Sequence, residues 1–143
     1  MGTRRSSREA ALQFLYQEDF TLGPDQQPGF DLEERFEDFC ILFQVNKKAR
    51  SYALELLQGV TSSLETIDNV ISEAAANWRL PRIAATDRNL MRIAVYEMMS
   101  RSDVPPQVAI NEAVEIAKRF AGEDSPKFVN GILDAVRAKI SDS

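Results

Sequence analysis

Apolar residues recur along this chain in alternating steps of three and four, and no stretch alternates apolar and polar residues one by one. That period belongs to α-helices lying on a core, so the fold class is expected to be all-α. Ser6 and Glu9 have the spacing of a capping box, which predicts a first helix starting there, with Ala11, Phe14, Leu15 and Leu22 on its inner face. Gly23-Pro24 ends it, and the polar stretch from Asp25 to Gly29 reads as a loop. A second helix follows from Asp31, with Leu32, Phe36, Phe39, Cys40 and Phe43 as its buried stripe. Between Lys47 and Asn77, the residues Ala53, Leu57, Val60, Leu64, Ile67, Ile71 and Ala74, continued by Trp78, form a seam of coiled-coil spacing. In a short chain this predicts the central helix of a bundle, and a dimer-forming coiled coil is the other reading. Gly59 and a second cap spacing at Ser62 and Glu65 mark where that helix could kink.

Leu80-Pro81 interrupts the pattern and sets the expected boundary between two small helical bundles sharing a core. Residues 1–80 would form an N-terminal lobe of about three helices and residues 81–143 a C-terminal lobe of about three to four. Thr86 is placed to cap a helix over about 87–100, in which Leu90, Met91, Ile93, Ala94, Val95, Met98 and Met99 leave few polar positions, as in a core helix. After a turn at Ser102 to Pro106, the residues Val108, Ala109, Ala113, Ile116, Ala117 and Phe120 give the next helix its apolar side, and Gly122 suits its end. Ser125 as N-cap and Pro126 in the first turn open the last helix, with Val129, Ile132, Leu133, Val136 and Ile140 inward. Gly131 within it costs about 1 kcal/mol relative to alanine, which predicts a close neighbour on that face.

The 143 residues include no histidine and one cysteine, Cys40. Histidine-dependent nucleophile pairs and histidine- or thiolate-held metals are thereby excluded, so the expectation is a protein that is not an enzyme and holds no cofactor or metal. No apolar run reaches the roughly 18–20 residues that cross a bilayer, and Met1-Gly-Thr-Arg-Arg5 leads into no signal-peptide hydrophobic region. The expected location is therefore the cytosol, away from membranes. The net charge of −5 would argue against a polyanion partner. Its distribution reverses that inference: residues 21–46 carry Asp25, Asp31, Glu33, Glu34, Glu37 and Asp38 against Arg35 alone, and the remainder sums to zero.

Two clusters have the parts of a nucleic-acid site. Arg4, Arg5 and Arg8 add positive charge to the positive end of the first helix, an unfavourable placement that a bound phosphate would turn into attraction. A solvated terminus is the alternative. Tyr16 lies two turns beyond Arg8, roughly on its face, with Gln13 between them and offset; an exposed ring there could stack an unpaired base, whereas a core ring with its hydroxyl at the surface is the plainer reading. The second cluster runs from Phe120 to Phe128, with Lys118, Arg119, Asp124, Lys127 and an aromatic displaced from the apolar stripe. An ordinary helix corner would use the same residues. Glu112 and Glu115 have no neighbours that would split their pKa values, and they read as a solvated face.

Four stretches together carry a resemblance. Arg4-Arg5-Ser-Ser-Arg8-Glu9-Ala-Ala-Leu-Gln13-Phe-Leu-Tyr16 resembles the start of the NusB family of bacterial transcription antitermination factors. Asp87 to Glu97, Asp103 to Ala113, and Glu123-Asp124-Ser125-Pro-Lys127-Phe128-Val-Asn130-Gly131 are similar to that family in the same order. Residues 21–46 match little beyond being helical. The resemblance implies a heterodimer with the small ribosomal protein called NusE in this role, bound to boxA-type single-stranded RNA within a transcribing RNA polymerase complex that holds other Nus factors and serves ribosomal RNA transcription. Carried over by motif, it implies RNA contacts at Arg4, Arg5, Arg8, Gln13 and Tyr16, continuing to Asp124, Lys127 and Phe128. Ser6 and Ser7 interrupt a basic run that is denser in some members. The same module occurs as an extension of some RNA cytosine methyltransferases, but no glycine-rich cofactor loop follows a strand here. A protein-binding or homodimeric module is the third reading, and the free protein could pair with itself.

Overall fold

The computed structural model describes residues 2–21, 31–75 and 79–141. Among these there are seven α-helices and no strand: α1 (Gly2–Thr21), α2 (Leu32–Leu42), α3 (Lys47–Ser62), α4 (Leu64–Ala74), α5 (Ala85–Ser100), α6 (Pro106–Phe120) and α7 (Ser125–Ser141), with a 3-10 turn over Leu80–Arg82. The all-α expectation holds. Leu22, the stop at Gly23-Pro24, the loop after it and Trp78 lie outside the described residues.

The chain divides into two compact units, Met1–Ser62 and Ser63–Ser143. The division falls one helix earlier than Leu80-Pro81, where it was expected. The cause is local: Thr61 and Ser62 turn their hydroxyls back onto carbonyls of their own helix, Leu57 O at 2.9 Å and Gly59 O at 3.3 Å. Such bonds compete with the backbone ladder and favour helix ends. Ser63 leaves helical geometry (φ −117°, ψ 21°), and its carbonyl accepts from Ile67 N to start α4. The seam thus belongs to two helices in two units, with Leu57 and Val60 buried in the first and Ile67 and Ile71 in the second.

In the first unit α1 packs along α3. Ala11, Phe14, Ala53, Leu56 and Leu57 are almost entirely buried. Ser7 is buried as well, and its Oγ lies 2.7 Å from Ala49 O on α3 and 3.0 Å from Thr3 O on its own helix. Ser6 caps nothing, because α1 already begins at Gly2. Phe14 meets Phe36 and Phe39 of α2 edge-on, with ring centroids 5.4 and 5.5 Å apart, an arrangement worth about 0.5–1.5 kcal/mol per pair beyond area burial. Phe43 was expected in that stripe, yet it is 54 % exposed. It is the C-cap of α2, where the chain turns out of the helix.

That turn has a defined form. Gln44 takes a left-handed conformation (φ 53°), Val45 N donates to Cys40 O at 3.0 Å, and Gln44 N to Ile41 O at 3.4 Å. These are the two bonds of a Schellman motif. Arg50 of α3 reinforces it, donating from Nε to Val45 O at 2.9 Å, with its positive charge at the negative end of the helix. Asp31 before α2 is also left-handed (φ 47°, ψ 33°). Arg35 on the same helix gives Nε and Nη2 to Glu18 Oε1 of α1 at 2.9 and 2.6 Å.

In the second unit α4, α5, α6 and α7 bury Ile67, Ile71, Leu90, Met91, Ile93, Val95, Ile110, Ile116, Val129 and Leu133. The apolar character of α5 is explained by helices on several sides, although Met99 near its end is 40 % exposed. Arg92 on α5 forms a two-pronged pair with Asp68 of α4, both contacts at 2.8 Å, and also donates to Asn89 Oδ1 at 3.1 Å. Val108 was expected inward and is 44 % exposed. Gly131 has no crowding neighbour: it is exposed, and a Cβ there would meet no atom within 4 Å. Thr86 lies inside α5, whose first helical residue is Ala85.

Candidate nucleic-acid interface

Helix α1 presents its predicted residues on different sides. Arg4 and Arg8, one turn apart, face α3, where their guanidinium carbons lie 4.4 and 6.0 Å from the centroid of the Tyr52 ring. Arg8 is only 4 % exposed, so it is a packing residue with a charged tip and not a free anion hook. Arg4 and Arg5 are part-exposed, and Gln13 is exposed. Tyr16 is 44 % exposed, and it has turned away from the side that buries Arg8. Arg5 shares its side better: eleven positions separate them, close to three whole turns.

One aromatic at this surface was missed in the sequence. Phe20 is 71 % exposed and lies edge-to-face with Tyr16, centroids 5.0 Å apart. Its position one turn beyond Tyr16 was the available signal.

In the second unit the remaining predicted residues gather at the start of α7. Asp124 precedes the helix, its carbonyl accepting from Phe128 N at 3.2 Å. Asp124 and Lys127 are exposed and Phe128 is half-buried, which fits its displacement from the apolar stripe. Ser125, expected as the N-cap, is the first helical residue, and its hydroxyl donates instead to Asp87 Oδ2 of α5 at 3.1 Å. Asp87 Oδ1 is buried and has no hydrogen-bond partner among the described residues. Burial pushes the Asp87 carboxyl above the usual carboxylate range, and the Ser125 hydrogen bond offsets part of that rise. Around these groups Arg82, Ile83, Ala84, Asp87, Asp124, Ser125 and Phe128 line an open cavity of about 330 Å³.

Lys118 and Arg119 end α6. Lys118 pairs with Glu115 at 2.8 Å, and Arg119 lies over the Phe120 ring at 5.3 Å. The Glu115 pair is of the solvated, i, i+3 kind expected of that face. Among the described residues no three metal-ligating side chains converge, and no helix is long and apolar enough to cross a membrane.

Residues 5–138 match the model of the NusB family. This chain belongs to that family. It is 62 % identical over 137 residues to the transcription antitermination protein NusB of Desulfotalea psychrophila, covering 96 % of each chain. Among solved structures it resembles T. maritima NusB, with a TM-score of 0.80 and 40 % identity over 95 % of this chain and 91 % of that one. A crystal structure of the antitermination factors NusB and NusE in complex with double-stranded RNA is similar at a TM-score of 0.80 and 28 % identity, over 97 % of this chain and 98 % of that one. The two clusters described above therefore lie on a NusB fold, inside the matched residues apart from Arg4.

Proposed function

We propose that this chain is a transcription antitermination factor, without catalytic activity, that binds boxA-type RNA together with the ribosomal protein NusE. It acts in the cytosol, within the transcribing RNA polymerase complex that holds other Nus factors and serves ribosomal RNA synthesis. The name of its 62 % identical relative supports the antitermination role, and the solved complex of NusB and NusE with double-stranded RNA supports NusE and RNA as partner classes.

The observation that carries the RNA reading is Tyr16, an aromatic ring left 44 % exposed on the helix whose first turns hold Arg4 and Arg5. A surface ring stacks an unpaired base for about 1–3 kcal/mol, and cations about three turns away on the same helix meet phosphates further along the strand. Gln13 is exposed on the same helix, and Asp124, Lys127 and Phe128 supply a second set of contacts on α7. Arg8 supports this surface from beneath by packing on Tyr52.

Fluorescence anisotropy with a boxA-type RNA, with and without NusE, tests the reading. The expected result is NusE-dependent tightening and an affinity that falls with salt. Equal affinity for boxA-type and scrambled RNA in the presence of NusE would overturn it. A homodimer of the free protein is the second reading, favoured by Ile41, Leu42 and Phe43, which are 63, 73 and 54 % exposed in succession. Sedimentation equilibrium of the free protein decides it by mass.

A further inference from the structure

The turn from α2 into α3 leaves a run of apolar side chains in solvent. Ile41, Leu42 and Phe43 are 63, 73 and 54 % exposed, whereas large side chains of that kind are ordinarily inside. The backbone beneath them is fixed. Val45 N donates to Cys40 O at 3.0 Å, Arg50 Nε to Val45 O at 2.9 Å, and Asn46 Oδ1 accepts from Lys48 N at 2.9 Å. Three neighbouring apolar groups held outward on a built turn form a patch of the sort that another chain covers.

Charge is laid out around the patch in two opposite halves. Glu37 and Asp38 stand one helical turn before Ile41 and Leu42, and both are exposed. Lys47 and Lys48 follow the patch in the first turn of α3 and are exposed as well. There they add to the positive end of the helix, with no acid in that turn to offset them. Among the described residues no ion pair holds any of these four groups. The surface thus runs acidic, apolar, basic.

That order distinguishes the occupants. A nucleic acid would suit the lysines but meet two carboxylates and an apolar strip, and a uniformly basic partner would meet the lysines. A second copy running the opposite way presents basic to acidic and apolar to apolar. It does so twice, since a two-fold interface uses the same surface on both chains. We infer that the free chain pairs with a second copy through this turn, Leu42 meeting Leu42 near the two-fold axis and Lys47 and Lys48 of each copy meeting Glu37 and Asp38 of the other. The inference rests on the homodimer reading and adds to it the surface used and the charges that align it. Three apolar and four charged residues a side fall well below the about 20–30 of a standard interface, so the pairing is weak and rises with concentration.

Sedimentation equilibrium on the full chain, without RNA or NusE and over a series reaching millimolar concentration, tests it with two charge reversals. Glu37→Lys with Asp38→Lys puts cations toward the C-terminal end of α2, and Lys47→Glu with Lys48→Glu puts anions at the start of α3. Both suit the helix dipoles, so neither reversal harms folding. Each reversed protein alone should pair at least about tenfold more weakly than the natural chain. An equal mixture of the two should recover pairing as a mixed dimer. Leu42→Ser should weaken the natural dimer by about tenfold as well.

A natural chain that stays monomeric at every concentration overturns the homodimer reading and this inference together. A dimer that survives the reversals or Leu42→Ser keeps the homodimer reading and overturns this surface. A mixture that stays monomeric overturns the charge alignment and the inference with it. Loss of RNA binding in the lysine reversal while its dimer persists makes the turn an RNA contact, which also overturns the inference.

Discussion

The guanidinium of Arg4 lies over the ring of Tyr52, its central carbon 4.4 Å from the ring centroid, with Arg8 one turn further along the same edge of α1. Two of three neighbouring arginines thereby touch Tyr52, Arg8 from a buried position and Arg4 from a part-exposed one. Charge and packing should then separate on mutation. Arg8→Ala should lower stability by about 1–3 kcal/mol through lost packing, whereas Arg5→Ala, at a part-exposed position, should cost under about 1 kcal/mol and reduce the salt slope of RNA binding by about one. Urea denaturation and anisotropy titrations at several salt concentrations read the two effects. Equal loss of stability from both variants would contradict this division of roles.

Ser7 donates across to α3 from a position with no exposure. Ser7→Ala should cost about 1 kcal/mol, because the hydroxyl contact disappears while Ala49 O remains buried. Ser7→Val should cost more, since the β-branched side chain adds volume to a closed contact. Denaturant midpoints of the two variants, at unchanged slope, check the order.

Gly131 lies on an exposed, open side of α7. With room for a methyl group, Gly131→Ala should stabilise the protein by about 0.5–1 kcal/mol by removing unfolded-chain freedom and restoring helix propensity. A drop in thermal midpoint would contradict the open surroundings of Gly131.

Burial holds the Asp87 carboxyl above its ordinary value, so the folded protein binds that proton more tightly than the unfolded chain does. Above the raised value the ionised group opposes folding. As pH falls through that value toward the ordinary carboxylate range, about pH 4, the penalty disappears and this group's contribution improves. Asp87→Asn has no such dependence. Relative to the natural chain it should be the more stable at neutral pH, with the gap closing as the medium is acidified. Paired denaturation curves across that range measure it, and a constant gap would show that Asp87 does not titrate as described.

The helices were legible in the sequence because burying one face imposes a period, and that period is visible without knowing the partner. Leu90, Met91, Ile93 and Val95 on α5, and Val129, Ile132, Leu133 and Val136 on α7, are buried as their spacing requires. The break at Ser63 was legible only as a kink, since Val60, Leu64 and Ile67 carry the seam across it in step. Periodicity registers which residues are buried, not whether one helix or two bury them. Arg8 was misjudged for a related reason: an arginine defaults to solvent, and its burial depends on Tyr52, distant in sequence. Ser125 satisfied every local rule for a cap, and a carboxylate on another helix claimed its hydroxyl. The residues at the start of α7 stand out in the sequence because each is unusual in its own place. The cavity beside them depends on Arg82, Ile83 and Asp87, which no local pattern joins to α7.

Helix α2 begins at left-handed Asp31 and ends at left-handed Gln44. Few side chains accept that backbone: glycine does so freely, asparagine and aspartate with tolerance, and β-branched residues poorly. The limits of the helix are thus encoded at its two ends, independently of the carboxylates along its outer surface. Glu37 and Asp38 lie between those two turns and outside both, so removing their charge would make the stretch less acidic while the helix keeps its bounds.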